Sequence, residues 1–266
     1  MDRVYLIGAG PGSADLITLR GARVLGRSRV VLHDALVDEQ LQVLGPQARW
    51  VDVGKRGFTD STAQARINDL LVEEARGGGI VVRLKGGDPS IFGRLDEELE
   101  ALARAGIACE VVPGVTAAIA AAADLRRPLT RRGSGRSVAL VTAMTRSGAL
   151  VAARGADTEV FYMAGRQLGA LAGRLIQAGW TPDTPATVVS RAGWPDRLES
   201  DHLVGTLEDA CVLHGGRPTV VIVGIGAAPL DGGATASSEA GPVSASALPN
   251  ALAPPAPTQS VAPPKP

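Results

Sequence analysis

The sequence has little of what builds metal centres or cross-linked scaffolds. It holds two cysteines and three histidines in 266 residues. Cys109 lies in an apolar, strand-like run and Cys211 in a helix-like run. Both read as buried thiols, and two of them exclude a disulfide framework. The scattered histidines offer no metal-ligand spacing, so no metal is expected. Charge of one sign is also missing. Lysine plus arginine and aspartate plus glutamate number 27 each, for a formal net charge of zero. No global field therefore points to nucleic acid or to an anionic membrane. Long hydrophobic runs are absent too. The first residues, M-D-R-V-Y-L-I-G, lack the apolar core of a signal peptide, and no run reaches membrane-spanning length. A soluble, cytoplasmic protein is expected.

What is present is an ordinary globular balance, 45% hydrophobic and 20% charged. That supplies ample core for one large or two modest domains. The most informative stretch is V-V-R-L-K-G-G-D-P-S-I-F-G, Val81 to Gly93. It begins as an apolar run, Ile80 to Leu84, with the β-branched content of a buried parallel strand. Gly86, Gly87, Asp88 and Pro89 end it. Two adjacent glycines permit positive φ and let another molecule approach the backbone. Leu95 to Ala105 then reads as a helix with Leu95, Leu99 and Leu102 inward and Glu97, Glu98 and Glu100 outward. Gly106 is its stop. Strand, glycine turn and helix form a unit that in open parallel sheets binds ligands beyond the carboxyl ends of the strands. A tight turn without a ligand has the same spacing.

The rest of the chain repeats the alternation. Strands are expected at Val4–Ile7, Arg29–Leu32, Arg49–Val53 and Ala108–Val112. A helix is expected at Leu16–Leu25, capped by Asp15, and another opens with a capping box at Ser61–Gln64. Residues 125–137 break the rhythm with Arg126, Arg127, Arg131, Arg132 and Arg136 around Pro128 and Gly133. Strands follow at Val138–Thr142, Glu159–Tyr162, Ala186–Val189 and Thr219–Val223, with a helix at Gln167–Ala178. The expected organisation is an N-terminal α/β domain over 1–124, a linker over 125–137 and a C-terminal α/β domain over 138–229. A mostly parallel sheet covered on both faces follows from the alternation. The last 38 residues hold 9 of the 18 prolines, no aromatic residue and three charged ones. A disordered Ala/Pro-rich tail is expected over 230–266.

G-A-G-P-G-S at Gly8–Ser13 invites a dinucleotide reading, but Ser13 stands where the third glycine of G-x-G-x-x-G belongs. Asp34, after the second strand, lies about where a ribose-binding acid would. A dinucleotide-dependent oxidoreductase is therefore one alternative. It leaves the 84–94 and 111–118 stretches unexplained.

L-K-G-G-D-P-S-I-F-G-R at Leu84–Arg94 resembles the signature of the tetrapyrrole (corrin and porphyrin) methyltransferases. Further motifs carry the resemblance from Val4 to about Leu230: V-Y-L-I-G-A-G-P-G, V-L-H-D-A-L-V at Val31–Val37, V-G-K-R-G at Val53–Gly57, V-V-P-G-V-T-A-A at Val111–Ala118, P-L-T-R-R at Pro128–Arg132 and F-Y-M-A-G at Phe161–Gly165. The resemblance implies a two-domain tetrapyrrole methylase fold with S-adenosyl-L-methionine in the inter-domain cleft, and a homodimer. It places cofactor contacts on Pro11, Gly86, Gly87, Asp88, Ile91, Thr116, Ala117 and Met163, with a further backbone contact near Ala192. It places the catalytic acid and base on Asp34 and Lys55. Within the family it is strongest toward the branch that methylates uroporphyrinogen III at two carbons to give precorrin-2, on the way to siroheme or cobalamin. Fused relatives carry a preceding dehydrogenase-chelatase region, and that activity is expected to be absent here.

The chain departs from the family pattern at His33, at Leu95 and Asp96, at Arg131, and at Thr142 to Met144. These lie toward the acceptor side, so another precorrin methyltransferase is a second alternative, and a non-catalytic tetrapyrrole-binding protein a third. The arginine run has two readings. One is a solvated basic loop at a domain joint. The other is capture of substrate carboxylates by Arg131 and Arg132, because guanidinium forks match carboxylates in pairs. No nucleic acid and no membrane partner is expected.

Overall fold

A computed structural model describes residues 3–54, 60–143, 152 and 154–230, without the side chains of residues 60–63. Lys55, most of the Ser61–Gln64 capping box, Met144 and the expected tail beyond residue 230 lie outside the residues or side chains described. No described helix is long and apolar enough to cross a membrane.

The chain builds two five-stranded sheets in succession. The first uses β1 (Arg3–Gly8), β2 (Val30–His33), β3 (Arg49–Asp52), β4 (Ile80–Lys85) and β5 (Cys109–Val112), in the order β3-β2-β4-β1-β5. Every pairing is parallel. Its crossover helices are α1 (Leu19–Leu25), α2 (Asp60–Arg76) and α3 (Leu95–Arg104). Alternate residues of one strand feed opposite faces. Val4, Leu6 and Val81 meet Leu71 of α2 and Leu102 of α3, whereas Ile7, Val82 and Leu84 meet Val24 and Leu25 of α1. Both faces are covered, as parallel strands require. The connection from β1 runs toward β2 and that from β4 toward β5, which lie on opposite sides. The carboxyl ends of β1 and β4 therefore flank a topological switch point.

The second sheet departs from the expected parallel arrangement. Its strands are β6 (Val138–Thr142), β7 (Thr158–Tyr162), β8 (Pro185–Ser190), β9 (Leu198–Leu203) and β10 (Thr219–Gly224), in the order β6-β7-β10-β8-β9. Only β6 and β7 are parallel, and β10 runs against both β7 and β8. Strand β9 was not expected from the sequence. Its L-E-S-D-H-L alternates half-buried and exposed residues at the sheet edge, so no apolar run marks it. It returns from β8 through seven residues with no helix, which forces the antiparallel sense. On one face lie α5 (Leu168–Gln177) and the 3-10 turns of 204–210, through Leu168, Leu171, Leu175 and Leu207. On the other face lies α4 (Ala117–Leu125), whose Ala118 and Ala121 pack against Val160, Tyr162 and Ile222. The helix that leaves the first sheet thus covers the second.

Three local expectations change. The first helix starts at Leu19, capped by Thr18 Oγ1, which accepts from Gly21 N at 3.2 Å; Asp15 sits in a preceding 3-10 turn. Cys211 is exposed and Cys109 half-buried, and both are free thiols. Glu98 does not face outward: it is completely buried.

At the first sheet's carboxyl edge backbone packs directly on backbone. A Cβ on Gly8 would lie 2.6 Å from both Gly114 Cα and Gly87 O. The obstacles are backbone, so no rotamer change relieves them. Gly114→Ala is expected to lower unfolding free energy by about 1–3 kcal/mol, as overpacked sites do. Urea denaturation checks this, and an unchanged midpoint would show that the strand ends can part freely.

Candidate active site

A cavity of about 300 Å³ lies beyond the carboxyl ends of β1 and β4, between the two sheets. Lys85 ends β4, and Gly86–Gly87 turn the chain across the edge. Gly10 and Gly87 exchange backbone hydrogen bonds, Gly87 N to Gly10 O at 2.8 Å and Gly10 N to Gly87 O at 3.2 Å. Gly87 has φ +73°, and a Cβ there would meet only Val115 O, at 4.0 Å. Its missing side chain is therefore open space in the cavity.

The first-sheet wall is Pro11, Gly86, Gly87, Asp88, Ile91 and Phe92, continued by Thr116 and Ala117 at the start of α4. The second-sheet wall is Tyr162 and Met163 at the end of β7, Val189, Arg191 and Ala192 at the end of β8, Trp194, and Pro218 to Val220 at the start of β10. All nine positions expected to contact a cofactor fall on this wall. So does Asp34. Phe92, Met163 and Arg191 have φ of 53°, 59° and 54°, three of the five described non-glycine residues with positive φ. Such backbone costs free energy and gathers where strand ends must turn sharply at a site.

Asp88 is anchored by backbone. Its Oδ1 accepts from Ser90 N and its Oδ2 from Gly114 N, each at 2.8 Å. It ties the β4 turn to the β5 turn. The other carboxylate on the wall, Asp34, pairs with Arg83 Nη2. Arg83 is buried in β4 and donates from Nε to Glu98 Oε1 at 2.8 Å. Lys85, also buried yet on the cavity wall, donates to Glu98 Oε2 at 2.7 Å. Two cations and two carboxylates thus alternate, with Asp34 and Lys85 on the cavity wall and Arg83 and Glu98 behind it. Burial, reinforced by Arg83, pushes the Lys85 ammonium down from its ordinary value, and Glu98 opposes that shift.

Sequence reasoning missed Tyr162, Lys85 and the Arg191–Trp194 corner. Tyr162 OH lies 2.7 Å from Thr116 Oγ1 and accepts from Ala118 N at 3.1 Å, so it fastens α4 to β7. Burial pushes its phenol up, against those hydrogen bonds. Its position inside F-Y-M-A-G was the available signal. The Arg191 guanidinium stacks on Trp194 at 4.2 Å and pairs with Asp196 at 2.7 Å. Nothing in the sequence spacing brings that corner to the cleft; an antiparallel β8 does.

The glycine loop and the arginine run both make contacts with the second half of the molecule. The glycines of G-A-G-P-G-S leave no gap for a pyrophosphate. A Cβ on Gly10 would lie 2.8 Å from Leu16 Cβ, and one on Gly12 would lie 2.6 Å from Gly193 C. Ser13 N donates to Gly193 O at 2.9 Å, so this loop docks the second half of the molecule. The arginine loop does not line the cavity. Arg131 donates to the carbonyls of Ala228 and Pro229, and Arg132 is exposed away from the wall. Arg127 pairs with Asp201 at 2.5 Å and donates to Ala227 O at 2.9 Å. Arg127 and the two terminal nitrogens of Arg131 donate to the second sheet and to the segment that follows β10, while Arg131 Nε is buried without a partner. Arg127 and Arg131 stitch a joint.

Among the described residues no cluster could hold a metal ion. The chain matches the family model of Tetrapyrrole (Corrin/Porphyrin) Methylases over residues 3–211. It is similar to uroporphyrinogen-III C-methyltransferase of Synechocystis sp., 40% identical over 236 residues, covering 84% of this chain and 89% of the relative. The same enzyme of Pseudomonas aeruginosa is 42% identical over 227 residues, covering 84% and 93%. Among solved structures, uroporphyrin-III C-methyl transferase of Thermus thermophilus complexed with S-adenyl homocysteine superposes with TM-score 0.74 at 37% identity, covering 84% and 97%.

Behind the second-sheet wall a buried histidine couples stability to pH. His214 of α6 (Cys211–His214) is buried, with Nδ1 2.9 Å from Ser190 Oγ and Nε2 2.9 Å from Ser200 Oγ. Arg217 Nε donates to Ser190 Oγ at 3.0 Å. Ser190 immediately precedes Arg191. Burial, then the nearby His202 and Arg217 charges, hold His214 down to about 4 from 6.5. The unfolded chain takes up this proton near its ordinary value and the folded chain only near 4. Stability is therefore complete above about pH 6.5 and falls as pH drops toward 4, by about 1–3 kcal/mol from this group. Urea denaturation at pH 7 and pH 4.5 is expected to show a larger loss in the wild type than in His214→Gln. Equal losses would show that His214 is protonated in the fold.

Proposed function

The chain belongs to the tetrapyrrole (corrin/porphyrin) methylases, and from that membership and the cleft we propose that it methylates carbon atoms of uroporphyrinogen III. The donor is S-adenosylmethionine, and two transfers give precorrin-2. The observation that carries the reading is the cavity wall: one pocket gathers the residues that the family resemblance assigns to the cofactor, around a glycine whose missing Cβ is the free volume.

The residues present fit such a donor. A sulfonium with an adenosine needs backbone groups and apolar walls more than charged clamps. The turns at Gly86–Gly87, Thr116–Ala117, Met163 and Ala192 offer backbone, and Pro11, Ile91 and Val220 offer apolar surface. When bound, S-adenosylmethionine supplies a methyl group on positively charged sulfur, which an electron-rich pyrrole carbon takes, leaving S-adenosylhomocysteine. The walls hold donor and acceptor in line, the largest contribution available from positioning. Asp34 receives or holds the proton that the alkylated ring gives up. Lys55 is its partner by family resemblance. Among described residues the cations on the wall are Lys85, paired with Glu98, and Arg191, paired with Asp196, one from each sheet. The homodimer belongs to the same proposal, and sedimentation of the purified protein tests it.

The direct test incubates the protein with uroporphyrinogen III and S-adenosylmethionine and reads the product by mass. A product heavier by two methyl groups is expected. Binding of S-adenosylhomocysteine without transfer to uroporphyrinogen III would move the acceptor to another precorrin. Binding of NAD in its place would overturn the reading.

Two variants separate the donor site from the chemistry. Gly87→Val places a branched side chain in the cavity at a φ that β-branched residues resist. Calorimetry is expected to show loss of S-adenosylhomocysteine binding in a folded protein; retained affinity would move the donor away from this turn. Asp34→Asn, nearly isosteric, is expected to lower turnover at least about tenfold while S-adenosylhomocysteine still binds. Full turnover would remove Asp34 from the mechanism.

A further inference from the structure

Glu98 is the unexplained residue of the site. It lies on α3, is completely buried, and does not reach the cavity. Around it every polar atom of Arg83 is committed. Nε goes to Glu98, Nη1 to the carbonyls of Leu32 at 3.3 Å and Leu84 at 3.1 Å, and Nη2 to Asp34. A guanidinium held at three corners has one orientation. The second oxygen of Glu98 takes the Lys85 ammonium at 2.7 Å. Asp34 contributes to the field at Lys85, so without Glu98 it is the remaining carboxylate of the cluster for that ammonium.

Burying two cations and two carboxylates is no more stabilising than packing apolar side chains of similar volume, and often less. Strand β4 could have continued its apolar run through positions 83 and 85. The charges point to a task beyond stability, and two members of the cluster, Asp34 and Lys85, face the cleft.

We propose that Glu98 is a positioning residue for methyl transfer: it holds Arg83 and Lys85 apart, so that Arg83 alone fixes the Asp34 carboxylate at the cleft wall. The inference rests on the role given to Asp34 in the proposed function. Losing Glu98 frees Lys85 to compete with Arg83 for Asp34, which turns the carboxylate without touching the donor pocket across the glycine turn.

The experiment is a double-mutant cycle of Glu98→Gln and Asp34→Asn. It reads turnover of uroporphyrinogen III and, separately, affinity for S-adenosylhomocysteine by calorimetry. Glu98→Gln alone is expected to lower turnover at least about tenfold and to leave the affinity within about twofold. In the Asp34→Asn background the same change is expected to add less than about twofold, because residues acting as one unit are not additive. Turnover of Glu98→Gln within about twofold of wild type, an equal loss in both backgrounds, or a parallel loss of S-adenosylhomocysteine affinity each overturns the proposal. If Glu98→Gln does not fold, Glu98→Asp, which keeps the charge but is one methylene shorter and cannot hold both Arg83 and Lys85, carries the same cycle. A wild type that binds S-adenosylhomocysteine and methylates no uroporphyrinogen III fails at the acceptor, and this inference falls with it. A wild type that turns over while the cycle is additive leaves the function standing and removes Glu98 alone.

Discussion

Backbone meets backbone where the first sheet ends. Gly8, Gly87 and Gly114 close on one another with no side chain between them, and the Gly10–Gly87 exchange of hydrogen bonds locks the approach. The floor of the cleft follows from that contact. Because β1, β4 and β5 finish so close together, their three turns form one continuous rim. Because Gly87 takes a left-handed φ and carries no Cβ, the space beside it stays open to the cavity while its N–H and C=O bond to Gly10. Asp88 then spends both carboxylate oxygens on backbone amides of its own turn and of Gly114, so the rim is set before any ligand arrives.

The second half of the molecule contributes the facing wall by a different device. Antiparallel β10 runs between β7 and β8, which brings the carboxyl ends of those two strands beside its own start. Met163 and Arg191 turn there in left-handed backbone. Tyr162 fastens α4 across to this sheet, and Ser13 and Gly193 join the two rims directly. The cleft is therefore bounded by strand ends on both sides, with little loop of its own.

The first sheet was legible because parallel strands buried on both faces write themselves as short apolar runs, and glycine pairs mark where they end. The cavity-lining positions were legible through the family motifs, most of which sit at strand ends. The second sheet was read less well. Strand β9 carries Glu199, Ser200 and Asp201 on an edge, and periodicity alone does not separate such a strand from a loop. Glu98 was misread for a related reason. A leucine stripe defines a helix face only on the assumption that acids avoid it, and Arg83 and Lys85 of β4 reverse that assumption locally. The arginine run shows the converse. A cluster of like charges suggested an anionic ligand, yet Arg127 donates to Asp201 and the terminal nitrogens of Arg131 to carbonyls of the segment that follows β10.

The polar edge of the second sheet has a consequence for the molecule in a crowded solution. An outermost strand exposes unpaired amides and carbonyls, and a flat apolar one would recruit the edge of another molecule. Strand β9 presents Glu199 and Asp201 outward along that edge, while Asp201 is also the partner of Arg127. A strand added alongside would have to strip water from these carboxylates and lie against like charge. The residues that hid β9 from a hydrophobicity reading are charges of the kind that discourage growth at a sheet edge.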